Sequence, residues 1–342
     1  MTVNNSDIQL EDLSLKSSLK REYALNRIIG KSEAIANIIA KVNQISLCDV
    51  NVLISGESGT GKELFARAIH YLSKRASKPF IPVNCGAIPE NLFENELFGH
   101  KKGAYTSAEF QQIGLVQNAQ GGTLFLDEIG VINPNIQVKL LRLLQEKEYK
   151  PLGDSKSHKA DIRIIAATNK DLKALIIEGS FREDFFYRLD VISLHIPPLR
   201  ERKKDIPILV KHFIDKYSNE FELPVKNVSD EAMDSLISYS WPGNIRELEN
   251  QIQKMIVLST SPIINDDHIQ SHIKGADTRD ICTEDLKTAK KKVISYFEEN
   301  YLKSLLSEQR GNVVASARKA GKSRTAFWNL LKKYSISPKQ YL

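Results

Sequence analysis

Cysteine is scarce in this chain. Cys48, Cys85 and Cys282 are the whole complement, and no Cys-x-x-Cys occurs. An odd, scattered set fits a reducing compartment, and the thiols read as buried side chains with no disulfide framework. Long apolar runs are missing too. None approaches the ~18 residues that a membrane-spanning helix needs. Met1–Lys20 is polar and lacks the apolar core of a secretory signal. A cytoplasmic protein with no membrane partner is therefore expected. Acidic residues are thin in one place only. Residues 285–342 hold 13 Lys/Arg against 4 Asp/Glu, whereas the rest of the chain holds 35 against 38. The net charge of +6 thus originates in the last segment. A solvated helix face could carry some of that charge, but a compact basic module more often meets nucleic acid.

The rest of the composition is ordinary. With 342 residues, 42% hydrophobic and 26% charged, the chain should form two or three globular domains. Its most informative stretch is Gly56-Glu57-Ser58-Gly59-Thr60-Gly61-Lys62-Glu63. An apolar run, Val52-Leu53-Ile54, precedes it. A helical pattern at Leu64, Phe65, Ala68, Ile69 and Leu72 follows. Strand, glycine loop, lysine and helix in that order make a phosphate cradle, with backbone N–H groups closing on phosphate oxygens and Lys62 adding a point charge. A merely flexible Gly/Ser loop is the plainer alternative. Glu63 stands where a Ser or Thr hydroxyl would usually ligate Mg²⁺.

Apolar runs then recur between helical stretches. Phe80–Val83 ends at Asn84, Thr123–Leu126 at Asp127-Glu128, Ile162–Ala166 at Thr168-Asn169, and Val191–Leu194 near His195. Continuous apolar strands alternating with helices indicate a parallel sheet covered on both faces, an α/β fold. Polar residues at several strand ends sit where open α/β sheets bind ligands. Asp127 can hold Mg²⁺, directly or through water, and Glu128 can polarise an attacking water; an acidic pair opening the next turn is the alternative. Arg182 and Arg188, six apart, would point to different sides of a helix at about 100° per residue. On their own they read more readily as surface ion-pair residues.

Residues 1–22 read as a polar arm, and an amphipathic helix is expected from Ser32 through Ala36, Ile39 and Val42. After Pro197-Pro198 the pattern becomes all helical. Asn244 and Glu247 resemble a capping box, with Ile245, Leu248, Ile252 and Met255 on the apolar face and Arg246 off it. Residues 273–284 read as a linker. Farther on, Val313, Ala317 and Ala320 form one helix face, Gly321 breaks it, Ser323 can cap the next helix, and Phe327, Leu331 and Tyr334 bury. Two short helices around a glycine turn form a helix-turn-helix, or else a purely structural hairpin. In the first reading Arg324, Thr325 and Asn329 reach bases, and Lys322, Lys332 and Lys333 suit phosphates.

Together these motifs resemble the bacterial enhancer-binding proteins, the AAA+ ATPases that activate sigma-54 RNA polymerase. The resemblance implies an AAA+ α/β subdomain over 23–196, a helical lid over 197–272 and a Fis-type helix-turn-helix domain over 285–342. Gly56–Glu63 looks like the Walker A loop of that family, Glu63 included, and Asp127 and Glu128 resemble Walker B. Asn84 matches the asparagine that restrains the catalytic glutamate. Thr168-Asn169 is similar to sensor I, and Arg246 to sensor II. Arg182 and Arg188 fall where the family carries arginines that complete a neighbour's ATP site. Gly103-Ala104-Tyr105-Thr106-Ser107-Ala108 matches the surface loop that touches sigma-54, with Tyr for Phe and Ser for the second Gly. Asn329 and Leu330 stand where basic residues are common.

The resemblance implies an activator that binds enhancer DNA, assembles into a ring, a hexamer in the family, and uses ATP and Mg²⁺ to convert a closed polymerase–promoter complex into an open one. With only a short arm before the ATPase, control by a separate regulatory protein or by expression is expected. One rival is a DNA-binding regulator of other promoters whose ATPase serves assembly or sensing, which Ser107 favours. Another is a remodeller unrelated to transcription, which the basic helix-turn-helix argues against.

Overall fold

Each apolar run with a polar end becomes a strand. They are β1 (Val52–Ser55), β2 (Phe80–Asn84), β3 (Thr123–Asp127), β4 (Arg163–Thr168) and β5 (Ile192–His195). The computed structural model describes residues 26–104, 108–224, 226–259, 261–265, 269, 295, 298, 301, 302, 305, 306, 309, 312–334 and 336–338. The arm 1–22, the loop residues Tyr105, Thr106 and Ser107, the expected linker 273–284 and Cys282 lie outside the described residues. The chain divides into two compact units, 1–269 and 270–342.

In the first unit the five strands pair in parallel in the order β2-β3-β4-β1-β5. Alternate side chains enter opposite layers, as strand geometry requires. Leu124 and Leu126 join one core with Leu53, Val83 and Ile164, whereas Phe125 joins the other with Ile54, Ile165 and Leu194. The second core is closed by α1 (Glu33–Ser46) and α2 (Lys62–Leu72). The first is closed by α3 (Glu90–Phe98), α4 (Pro134–Glu146) and α6 (Glu183–Leu189), which follows the short α5 (Leu172–Ile177). Ser32 caps α1 by accepting the Ile35 N–H, and Asn133 caps α4 with Pro134 in the first turn. The buried face of α1 corrects the expectation. Ile35, Ile38, Val42 and Ile45 are buried, while Ala36 is exposed and Ile39 only partly covered.

Three helices follow: α7 (Ile206–Glu220), α8 (Asp230–Ser238) and α9 (Asn244–Leu258). The region is not wholly helical, because Asn227–Val228 pairs in parallel with Ile263–Ile264. Trp241 is fully buried, and its indole N–H donates to Leu236 O at 2.7 Å. Truncating such a side chain costs about 3–5 kcal/mol, so the turn before α9 is firmly anchored. The capping box sits one residue earlier than the sequence suggested. Gly243 precedes the helix, and Glu247 accepts the Gly243 N–H at 2.8 Å. Asn244 is the first helical residue and is fully buried.

In the second unit α10 (Val313–Lys319) and α11 (Arg324–Lys333) meet around Gly321, whose φ of +62° suits a residue without Cβ. Ser323 caps α11 through the Ala326 N–H. Ala317, Phe327 and Leu331 pack on Leu302, Leu305, Leu306 and Ile336, with Tyr334 partly buried beside them.

Candidate functional site

The carboxyl ends of β1, β2, β3 and β4 converge on one cleft of about 650 Å³. Its lining includes Ser58, Gly59, Gly61, Lys62 and Glu63 from the loop after β1, then Asn84, Asp127, Glu128, Asn169 and Arg246. Lys62 opens α2 after Gly61, which takes a φ of +95° that other residues avoid. In this structure the Lys62 ammonium donates to Gly56 O at 2.8 Å and to Glu57 O at 3.0 Å. Burial pushes its pKa below the usual lysine range, and the carboxylates of Asp127 and Glu128 oppose that shift. The cleft therefore carries one nearly buried cation facing two carboxylates.

Asp127 closes β3, and its Oδ1 accepts the Glu128 N–H at 2.9 Å. Glu128 has a φ of +56°. A non-glycine residue in that region stores strain that surrounding structure must hold. Asn84 lies at the same level on β2. Its Oδ1 accepts the N–H groups of Gly86 at 2.9 Å and Ala87 at 3.2 Å, so the amide oxygen is committed to its own turn. Cys85, buried beside these carboxylates, has its thiol pushed up to about 12 by burial and by the charges of Asp127 and Glu128. Thr168 is buried; its hydroxyl accepts the Lys170 N–H at 3.0 Å, and its carbonyl accepts the Gly56 N–H at 3.2 Å. Only Asn169 of that pair lines the cleft. Glu63 turns aside to an ion pair with Arg67 at 2.6 Å, and Thr60 donates its hydroxyl to Glu57 O.

From the lid side, Arg246 reaches the loop with Nη1 3.4 Å from Ser58 Oγ. Residues that sequence reasoning missed also belong to this junction: Arg27 and Glu249 line the cleft, while Arg200, Arg202 and Asn244 bind the phosphate loop from outside it. An Arg-Glu-Arg stretch after a double proline looks like a solvated turn, and nothing in its spacing marks a contact some 140 residues away.

Residues 28–195 match the Sigma-54 interaction domain, and residues 200–285 match an AAA+ ATPase lid domain. Regulatory protein AtoC of Escherichia coli K12 is 45% identical over 331 residues, covering 95% of this chain and 71% of AtoC.

The chain belongs to the sigma-54 interaction domain family.

It is also 49% identical over 251 residues to the DNA-binding transcriptional regulator NtrC of Azospirillum brasilense, covering 73% of this chain and 52% of NtrC. Among solved structures, NtrX from Brucella abortus in complex with ADP aligns with a TM-score of 0.69 at 32% identity, over 96% of this chain and 75% of NtrX. The fold is thus the AAA+ one: a parallel sheet covered on both faces, a helical lid and C-terminal helices. The lid match runs through 273–284, the stretch read from the sequence as a linker.

Three further groups of residues expected from this family's pattern are not part of the cleft's lining. Gly103, Ala104 and Ala108 form the base of the expected sigma-54 loop, which closes through Gly103 N–H to Ala108 O at 2.9 Å. Arg182 does not sit inside a helix. It immediately precedes α6, pairs with Asp184 at 2.7 Å, and donates its backbone N–H to Gln137 at 2.7 Å. Arg188 is exposed near the end of α6, and neither arginine lines the cleft. In the second unit Lys322, Ser323, Arg324, Thr325, Asn329 and Lys332 are all exposed. Lys333 is exposed as well but committed: it pairs with Glu298 at 2.9 Å and lies over the Tyr334 ring.

Proposed function

We propose that this protein is a sigma-54-dependent activator that binds ATP in the cleft, hydrolyses it, and uses the energy to open a closed polymerase–promoter complex. The observation that carries the reading is the convergence of Lys62, Asp127, Glu128, Asn169 and Arg246 in one cleft of a Sigma-54 interaction domain. A solved relative strengthens it, since NtrX from Brucella abortus was crystallised with ADP and with ATP. Gly56–Glu63 would cradle the phosphates, with Lys62 leaving its two carbonyls for the terminal ones. Glu128 would hold and polarise the attacking water, Asn84 would restrain that carboxylate, and Thr168 and Asn169 would sense the terminal phosphate. Arg246 would report nucleotide to the lid.

Mg²⁺ would be held by Asp127, directly or through water, and would neutralise phosphate charge. The donor set fits such an ion. Among the described residues no three His, Cys, Asp or Glu side chains gather into a cage, and Mg²⁺ characteristically takes one or two carboxylates plus substrate phosphates. Glu63, turned to Arg67, contributes nothing there.

Arg182 and Arg188, exposed and outside their own cleft, would complete a neighbour's site in a ring, a hexamer by family pattern. Within this reading, residues 23–196 form the ATPase subdomain, 197–272 the lid, 273–284 a linker and 285–342 the enhancer-binding module. Lys322, Ser323, Arg324, Thr325, Asn329 and Lys332 would face DNA. Gly103–Ala108 would touch sigma-54. In vitro open-complex formation with sigma-54 polymerase, with and without ATP, tests the whole. ATP-dependent opening is expected; specific DNA binding without it would favour a regulator of other promoters.

A further inference from the structure

Three consecutive carbonyls of the phosphate loop are each held from the lid side. Asn244 Nδ2 donates to Ser58 O at 3.0 Å, the Ile245 N–H to Gly59 O at 3.0 Å, and Arg202 Nη2 to Thr60 O at 3.2 Å. A trans peptide points its N–H opposite to its C=O. The N–H groups of Gly59, Thr60 and Gly61 are therefore turned away from these donors, and Gly59 and Gly61 line the cleft. Contact is so close that a Cβ at residue 59 would lie 2.2 Å from Gly243 O.

Asn244 is the centre of this arrangement, and its amide is fixed at both ends. Oδ1 accepts the Leu199 N–H at 2.8 Å, and Nδ2 also donates to Glu57 Oε2 at 3.1 Å. The Glu57 carboxylate in turn receives both Arg200 Nη1 at 2.8 Å and Nη2 at 2.6 Å. This fork-on-carboxylate pairing is directional as well as strong. Arg200 holds the Glu57 carboxyl down at about 2, so the pair stays charged at any working pH. Glu57 and Arg200 themselves do not line the cleft.

We propose that Glu57 and Arg200 are positioning residues. Through Asn244 they hold the loop's peptides in the orientation that receives the terminal phosphates of a nucleoside triphosphate. The proposal rests on the nucleotide-binding reading above. It makes the cradle's geometry depend on the lid: when the Leu199–Asn244 junction shifts, three loop carbonyls must turn with it, and the opposing N–H groups leave the phosphates.

The test uses the full chain and steady-state ATP hydrolysis by Glu57→Gln, Arg200→Gln, the double variant and Arg200→Lys. A half-exposed ion pair adds little to stability, so all should melt cooperatively. Loss of preorganised ground-state binding should raise KM for ATP about tenfold and move kcat less than about threefold. The double variant should be no worse than the worse single, because both act through one contact. Arg200→Lys, which keeps the charge but not the fork, should fall between. A purely structural role would instead lower the fraction of active enzyme, and so kcat, at constant KM. An active wild type with unchanged KM in the variants, or additive single effects, overturns the proposal alone. If Glu57→Gln fails to fold, Arg200→Lys decides on the same criterion. A wild type that neither binds nor hydrolyses ATP overturns the proposed function and this inference together.

Discussion

Gly86 lies directly against Glu128: a Cβ at residue 86 would be 2.3 Å from Glu128 Oε2 and 3.4 Å from Asn84 Oδ1. The missing side chain leaves room for the carboxylate that would polarise water. Because the clashing atom ends a flexible side chain, Gly86→Ala should displace the carboxylate and leave the fold intact. ATP turnover is expected to fall at least about tenfold with nucleotide binding retained. Glu128→Gln should likewise bind ATP yet barely turn over, and Lys62→Ala should lose binding. Near-normal turnover in purified Glu128→Gln would remove Glu128 from its assigned role.

The same carboxylates govern a thiol. Burial and the charges of Asp127 and Glu128 push Cys85 up to about 12, whereas Cys48 is exposed. The thiolate is the reactive form. Brief alkylation at pH 8 followed by peptide mapping should therefore find Cys48 modified and Cys85 unmodified until denaturant is added. Equal labelling of both in the folded protein would show that the β2–β3 end opens readily.

Much of this arrangement could be read from the sequence because its signals are local. Val52–Ile54, Thr123–Leu126 and the other apolar runs announce buried parallel strands, and those of β1 to β4 lead into the cleft. What was misread depends on choices that local pattern leaves open. In α1 both Ile38 and Ile39 are apolar, so the helix phase is ambiguous, and packing on the sheet selects Ile35, Ile38, Val42 and Ile45. Asn244 reads as a cap, but its partners Glu57 and Leu199 lie 187 and 45 residues away. For Lys333, the sequence suggests a phosphate contact and gives no sign of the pairing with Glu298 that tertiary packing adds.

Arg182 and Arg188 lie outside the cleft of their own chain. If they act on a neighbour, ATPase activity per subunit should rise with protein concentration. Arg182→Ala and Glu128→Gln, each nearly inactive alone, should regain part of the activity when mixed, since each supplies what the other lacks. Full activity in a monomer, independent of concentration, would exclude the arginine-finger role.

For DNA, deleting 285–342 should abolish specific binding while ATP turnover persists. Within the exposed start of α11, Arg324→Ala should relax base discrimination by about 1–3 kcal/mol. Lys332→Ala should weaken binding evenly across sequences and reduce the salt dependence. Lys333→Ala should matter less than Lys332→Ala, because Glu298 already neutralises that ammonium. A gel-shift or anisotropy series over salt separates these outcomes, and unchanged affinity after the deletion would refute a DNA-binding role for the segment.

Gly103, Ala104 and Ala108 form the base of the loop expected to touch sigma-54. Gly103 has a φ of +80° with open space around it, and Gly153 presses on Ala104, a Cβ there falling 2.8 Å from the Ala104 Cβ. The base is thus seated on one side and hinged at a residue free to take unusual angles. By sequence, Tyr105 offers an aromatic anchor with a phenol that Phe would lack, and Thr106 offers a hydroxyl for a polar contact. Ser107 stands where the family pattern has glycine. If a positive φ is needed there, Ser costs on the order of 1 kcal/mol or more, which would bias the loop without abolishing contact. Wild type should therefore bind sigma-54 in the presence of an ATP transition-state analogue. Ser107→Gly should preserve or strengthen that complex, and Thr106→Ala should lose it with ATPase intact. A complex formed by Ser107→Gly but not by wild type would mean that Ser107 has uncoupled this ATPase from sigma-54.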